Sequence, residues 1–503
     1  MVSPQPGSSV RAFLWIAVGI FLVLAAISSG FDASDGRADL QLAEHILTDH
    51  SVAFNTRPNL VSIPSPNGHW YLIHDVGNAV PMIPEVAVVR LVQGVSRGRL
   101  NDNNAMMLEI FIVELNAAVY VAIAAAACFV LARLYGVAAR VALFAALAMA
   151  GTTLMLEYSR DLFDGVLAGA LLILAVCAAA QYRKHGWRRW ALVAGLLCGA
   201  CLATRITGAL AIPALALFIY QGRHARDIRG TALFGLGVAP FVAWQMWYDW
   251  VRSGNPFISG AMVPQANNPY GSLVAGLAGH LFSPGKSIFI YAPLVLLVPW
   301  GIRQAWKKDR ALTLLIAWLV ISYMVVVSSV SHWYGEGWGP RYFVLVEPLV
   351  FPIVGLAIAR LLKHRAGIVA VAALSIAGAA VNLPAVLGNW HFRWQLQEAR
   401  TGTTFPFWDL SHAQWVDMWG GLVHNILYVA GRAPELIVPS YSSVNSSVSN
   451  SINFWWLSAR FAHVPVAAAA FLATLLALAG VAVLVRAWKQ LGGGRPQLRS
   501  PAG

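Results

Sequence analysis

Charge is scarce in this chain: of 503 residues, 11% are Asp, Glu, Lys or Arg, against 58% that are hydrophobic. The apolar stretches repeatedly reach the ~20 residues that a helix needs to cross a bilayer, runs that a soluble core of this size would not need. Cysteine is scarcer still. All four, Cys128, Cys177, Cys198 and Cys201, fall inside predicted spans, which leaves no disulfide framework for the loops. Cys198-Gly-Ala-Cys201 has redox-motif spacing without a βαβ context and reads as small-residue helix packing in lipid. His45, His74 and His332 lack the HExxH or Cys/His spacing of a zinc site, so no metal ligand is assigned. No cofactor is called for, and a divalent metal is left open. There is no internal repeat of fixed period.

The apolar runs and their polar breaks predict an all-α polytopic membrane protein of about 12 spans. These lie near 12–30, 106–132, 138–157, 163–182, 190–204, 207–221, 231–250, 286–302, 311–330, 343–361, 367–388 and 463–486. An even count puts both termini on one side. Connections on that side carry Arg133 and Arg140, then Arg183, Lys184, Arg188 and Arg189, then Arg223, Arg226 and Arg229, then Arg303, Lys307, Lys308 and Arg310, then Arg360, Lys363 and Arg365. The positive-inside rule makes that side the cytoplasm. Only Asp227 and Asp309 among the carboxylates fall in those connections, so any chemistry is expected to face outward. The formal charge of +13 follows from this asymmetry, and no nucleic-acid partner is expected.

Two outer segments exceed simple turns, 31–105 and 389–462, and long loops in polytopic proteins usually carry function. The chain thus divides into a transmembrane region over 1–388, a Trp-rich outer loop over 389–462, and a last span with a basic cytoplasmic tail over 463–503. Within the first loop, Ala38–Leu47 has the pattern of an amphipathic helix on the membrane interface. The stretch Ala79–Val95, with Pro81, Pro84, Glu85 and Arg90, reads as a second helix at that surface. The seven tryptophans of the later loop suit an interfacial belt or stacking against a sugar.

Ionisable groups against hydrocarbon are expensive, so each is a candidate for function. Four outer clusters hold them. In Phe31-Asp-Ala-Ser-Asp-Gly-Arg-Ala-Asp39, the carboxylates Asp32, Asp35 and Asp39 share one face of a helical turn. Like charges that close raise one pKa, which suits a general base; the spacing equally fits a helix start capped by Asp35 or Ser34. Glu157-Tyr-Ser-Arg-Asp-Leu-Phe-Asp164 places two carboxylates at a helix start, either as dipole compensation or as part of a site. His280-Leu-Phe-Ser-Pro-Gly-Lys286 opens a span with free backbone N–H groups and a cation, an anion site or a snorkelling lysine. His332-Trp-Tyr-Gly-Glu-Gly-Trp-Gly-Pro-Arg341-Tyr342 combines glycines, stacking faces and a guanidinium fork suited to phosphate. Arg205, in Ala-Thr-Arg-Ile-Thr, adds a further outer cation.

In their order along the chain these clusters resemble bacterial members of the GT-C glycosyltransferases, the group containing protein O-mannosyltransferases and lipid A aminoarabinose transferases. Three segments carry the likeness: Ser34-Asp35-Gly36 with Gly68-His-Trp-Tyr-Leu-Ile-His-Asp-Val-Gly77; Tyr158 to Asp164; and His280 to Lys286 with Tyr291-Ala-Pro293 and Trp333 to Tyr342. It covers roughly residues 10–390. The resemblance implies a multi-pass enzyme of the bacterial inner membrane with both termini cytoplasmic. It implies transfer of a sugar from a polyprenyl-phosphate carrier to a protein, lipid or polysaccharide acceptor on the periplasmic or extracellular face, by an inverting single displacement. Under it Asp35 is the base, Asp164 assists, and Lys286 and Arg341, with Tyr342 and His280, hold the departing phosphate. Asp32, His74, Arg205 and Glu336 are further candidates, and Asp32 rivals Asp35 because the familiar acidic pair is Asp35-Gly36 here. A transporter or flippase of lipid-linked sugars would instead place charges near the midplane and repeat its halves. An O-antigen-ligase-like enzyme would use late-loop arginines such as Arg393 and Arg400.

Overall fold

The computed structural model describes residues 6–29, 36–58, 62–95, 102–222, 226–262, 270–402, 407–438, 447, 449–462 and 464–492. Asp32 and Asp35 lie outside them. Helix α1 (Pro6–Ala26) leads to the first long connection, which holds α2 (Gly36–Asp49), strands β1 (Ser62–Pro64) and β2 (Trp70–Leu72), and α3 (Ile83–Val95). Then follow α4 (Asp102–Leu134), α5 (Ala139–Thr152), the turn α6 (Leu154–Glu157), α7 (Asp164–His185), α8 (Arg189–Thr204), α9 (Ala211–Tyr220) and α10 (Ile228–Ser253). After α11 (Leu273–Phe282) come α12 (Ile288–Tyr291), α13 (Val298–Lys308), α14 (Arg310–Ser329), α15 (Glu347–Leu361) and α16 (Arg365–Leu387). The late loop contains α17 (Trp390–Thr401) and α18 (Gln414–Val429), and a final helix spans Val466–Gly492.

All twelve expected spans are mostly helical. Among the described residues, five helical segments are both long and apolar enough to cross a membrane: Phe111–Leu134, Asp164–His185, Arg310–Ser329, Arg365–Leu387 and Val466–Leu491. Phe471, Leu478 and Ile376 leave more than 60% of their surface uncovered. Apolar surface of that extent on long helices calls for lipid, so this is a membrane protein. The stretch expected as one span at 286–302 is broken, with α12 followed by a 3-10 turn over Pro293–Leu297 and then α13. Pro293 has no N–H to continue the α12 ladder, which accounts for the break.

Small residues set how closely the helices approach. A Cβ on Gly195 would lie 2.2 Å from the Phe234 carbonyl oxygen, and one on Gly237 2.7 Å from that of Leu192, so α8 and α10 touch backbone to backbone. The first and last helices meet the same way: a Cβ on Gly480 would sit 2.8 Å from the Gly19 carbonyl, and one on Gly19 2.7 Å from Leu484. Asp227 and Asp309, the two carboxylates of the basic connections, cap α10 and α14 by accepting from the Gly230 and Leu312 N–H groups at 2.9 Å each.

The all-α expectation needs one correction in the first long connection. The amphipathic helix expected at 38–47 is α2 and the one at 79–95 is α3 with its preceding 3-10 turns, but between them β1 and β2 pair antiparallel, Ile63 opposite Tyr71. A buried ionic knot ties this connection to the helices. Arg252, at the end of α10 and wholly buried, donates through Nη2 to Asp75 at 2.7 Å and Asp249 at 2.6 Å. Its Nη1 reaches the carbonyls of Leu72, Ile73 and His74 at 3.4, 3.2 and 2.9 Å. Gln245 Nε2 donates to Asp75 at 2.9 Å, and the second Asp75 oxygen accepts from the Ile206 N–H at 2.9 Å. Removing one member of such a set leaves buried charges uncompensated, at about 3–5 kcal/mol. Arg252→Ala is therefore expected to destabilise the protein by about that amount, read as a lowered midpoint of thermal unfolding in detergent.

Candidate active site

Connections that alternate along the chain touch one another. Gly36 at the start of α2 meets the turn before α7, where a Cβ would lie 2.3 Å from Leu162 Cβ. Gly77 meets the end of α8, where a Cβ would lie 2.6 Å from the Ala203 carbonyl. Gly276 in α11 meets the end of α14, where a Cβ would lie 2.0 Å from the Ser328 carbonyl oxygen. Residues distant in sequence are thus gathered at one end of the helices.

The first group they bring together is Asp164, Arg205, Arg341 and Tyr342. Asp164 opens α7, where the helix dipole favours a negative charge, and forms an ion pair with Arg205. Arg205 follows the last turn of α8, with its guanidinium carbon 5.1 Å from the Phe163 ring centre and 5.2 Å from that of Tyr342. Arg341 flanks the same two rings at 5.0 and 5.5 Å. Two guanidiniums share these rings and one carboxylate pairs with Arg205, an arrangement whose surplus positive charge suits an anion with several oxygens.

The glycine-rich segment before Arg341 is held from within. Gly335 and Gly339 have φ of +50° and +53°, the left-handed region that side chains disfavour. Their turns direct three carbonyls inward, and Lys286 Nζ donates to Gly335, Gly337 and Gly339 at 3.1, 2.7 and 2.9 Å. Lys286 is wholly buried. It braces the loop with the donors that the sequence assigned to a phosphate. From the late loop, Gln414 accepts from the Gly339 N–H at 3.0 Å and donates to the Gly337 carbonyl at 3.1 Å. Phe407 stacks near Trp333 and Tyr334, and its carbonyl accepts from the Gly285 N–H at 3.0 Å. His280 is buried, bonds Ser328 Oγ through Nδ1 at 2.9 Å and packs edge-on against Trp333. Burial first, then the Lys286 charge, pushes its pKa down to about 4. Glu336 is exposed at the rim.

The second group is Asp39, His74 and Asn78. Asp39 lies on α2 with 1% of its surface exposed; Oδ2 accepts from Asn78 Nδ2 at 2.7 Å, and Oδ1 is 3.6 Å from His74 Nδ1. Burial raises the Asp39 pKa; His74 and Asn78 pull it back, and the charge of Asp164 adds to the rise. Asp39 belongs to the carboxylate triplet read from sequence, yet Asn78 and the Arg252 knot carried no signal there. Asn78 meets Asp39 across 39 residues of the loop, and Arg252 meets Asp75 across 177 residues of chain, separations set by the fold.

No protein family and no curated protein matches the sequence. Among solved structures, the chain is similar to ArnT from Cupriavidus metallidurans bound to undecaprenyl phosphate, with 14% identity, a TM-score of 0.47, and coverage of 96% of this chain and 78% of that one. It is also similar to the archaeal oligosaccharyltransferase AglB from Archaeoglobus fulgidus in complex with an inhibitory peptide and a dolichol-phosphate. There the identity is 11%, the TM-score 0.46, and the coverage 80% of this chain and 60% of that one. At these values the functional reading rests on the side chains of the site.

The raised Asp39 carboxyl has a thermodynamic consequence. A carboxyl whose pKa is higher folded than unfolded favours folding fully in acid, and this contribution is lost as pH rises through the folded value. Asp39→Asn is therefore expected to unfold at a higher temperature than wild type near pH 8, with the gap closing in acid; melting curves at several pH values check this.

Proposed function

We propose that this chain is an integral membrane glycosyltransferase. It moves a sugar from a polyprenyl-phosphate carrier to a protein, lipid or polysaccharide acceptor on the outward face of the bacterial inner membrane. The observation that carries the reading is the convergence of Asp164, Arg205 and Arg341 on the Phe163 and Tyr342 rings. A departing lipid phosphate carries its charge at headgroup depth, where a preorganised guanidinium pair stabilises it without reorganisation.

The reaction is an inverting single displacement. The acceptor oxygen bonds to the anomeric carbon as the carbon–oxygen bond to phosphate breaks and its electron pair leaves with the carrier. The acceptor proton goes to a carboxylate base. Asp35 is that base in this reading, with Asp32 as its rival, and Asp164 assists while orienting Arg205. Arg341 and Arg205 receive the phosphate, with the Tyr342 ring between them. Lys286, His280 and Gln414 keep the glycine loop in the shape that presents Arg341. The mechanism calls for no cofactor.

The test is binding and turnover of the purified protein with a panel of polyprenyl-phosphate sugars. Arg341→Ala is expected to weaken donor binding at least about tenfold, as loss of a charge-assisted contact does. Asp35→Asn is expected to leave donor binding intact and to slow transfer about 10²- to 10⁴-fold. Absence of saturable binding to any such donor would refute the reading, and full turnover in Asp35→Asn would remove Asp35 as the base.

A further inference from the structure

Asp164 and Asp39 face the same region with different partners. Asp164 is ion-paired with Arg205, whereas the titratable ring of His74 is the cationic group beside Asp39 among the described residues. Two carboxylates with such different partners divide tasks: one orients a guanidinium, and the other can take up a proton. Asp39 Oδ1, Asn78 Oδ1 and the Tyr120 hydroxyl are buried without hydrogen-bond partners among the described residues. In a folded protein such atoms call for a reason, and a proton-handling role is one. His74 bridges inside and outside: its side chain keeps 17% of its surface exposed, and its own carbonyl is fixed by Arg252 at 2.9 Å.

We infer that His74 and Asp39 form a proton relay, in which the imidazole carries the acceptor's proton from the reaction centre to the Asp39 carboxylate. The inference rests on the transferase reading above. The acceptor's proton reaches one imidazole nitrogen, and His74 gives its Nδ1 proton to Asp39 Oδ1. The net change is one proton moved from the acceptor hydroxyl to Asp39, with His74 neutral before and after. The 3.6 Å separation is longer than a hydrogen bond, as is common in sites that tighten once substrate is held. Asp39 acts on the reacting atoms through His74, so it is a positioning and proton-storing residue. The groups around it are His74 and Asn78 from the first loop, Asp164 from α7, Tyr120 from α4 and Tyr248 from α10, with Arg205 beyond Asp164 and Glu85 beyond Tyr120.

The experiment measures donor binding and the pH profile of transfer for wild type, Asp39→Asn and His74→Gln in the full-length protein in detergent or nanodiscs. Because a neutral Asp39 accepts no further proton, wild-type turnover is expected to fall as pH drops through its raised pKa. Both variants are expected to bind donor as wild type does, to transfer about 10²-fold more slowly near pH 8, and to lose that acid limb. Asp39→Asn removes a buried charge without changing shape, and a melting temperature at or above that of wild type separates loss of relay from loss of fold. His74→Gln supplies the same comparison should the first variant misfold. An active wild type whose variants transfer within threefold of it, or keep its acid limb, overturns the relay alone. A wild type that binds donor and transfers nothing overturns the transferase reading and the relay with it.

Discussion

The Arg252 guanidinium is the tie on which the end of the structure that carries the candidate site depends. A wholly buried arginine is tolerated only when its donors meet acceptors, and here they meet two carboxylates and three carbonyls. The carbonyls belong to Leu72, Ile73 and His74 and one carboxylate to Asp75, so a single cation fixes four consecutive residues of the first loop against α10. Asp75 passes the constraint to the Ile206 N–H, next to Arg205. Through one side chain, the loop carrying His74 and the residue following the Asp164 partner are held in a common frame.

A second cation works in the same manner on the opposite wall. Lys286 takes three glycine carbonyls, and the loop they belong to ends at Arg341. Both cations are buried and structural, whereas Arg205 and Arg341 are partly exposed and share aromatic rings. Positive charge at this end thus has two uses, distinguished by burial: bracing the backbone, and offering a fork to an anion. Under the transferase reading, the braces explain how flexible glycine turns present Arg341 in a fixed place, which preorganised stabilisation of a leaving phosphate requires.

Much of this was legible in the sequence, for reasons that can be named. Apolar runs long enough for a bilayer gave the helices, and the 3.6-residue pattern of Leu40, Ala43 and Leu47 gave α2. The break at Pro293 was missed because its flanks are as apolar as a continuous span, and hydropathy is blind to a lost N–H. The short β1–β2 pair was missed because three-residue strands carry too little alternation to register. Asp164, Arg205, Arg341 and Tyr342 were individually visible as costly residues near outer helix ends, and the fold brings them together. Lys286 was visible too, but the sequence does not tell a cation facing a ligand from one facing its own backbone. That distinction depends on the left-handed turns at Gly335 and Gly339, which are properties of the folded loop.

The glycine contact between α1 and the final helix bears on how the protein is made. Gly19 and Gly480 are separated by more than 400 residues, so the face of α1 that ends against Val466–Gly492 stays uncovered until that helix has been made. At typical synthesis rates that interval is on the order of tens of seconds. During that time the groove around Gly19 is bare in the bilayer, where a neighbouring small-residue helix fits it as well as its own partner does. Helix α1 is therefore sealed long after it has been made. Its correct closure is a matter of timing and of what else the membrane holds, as much as of the affinity of the two surfaces.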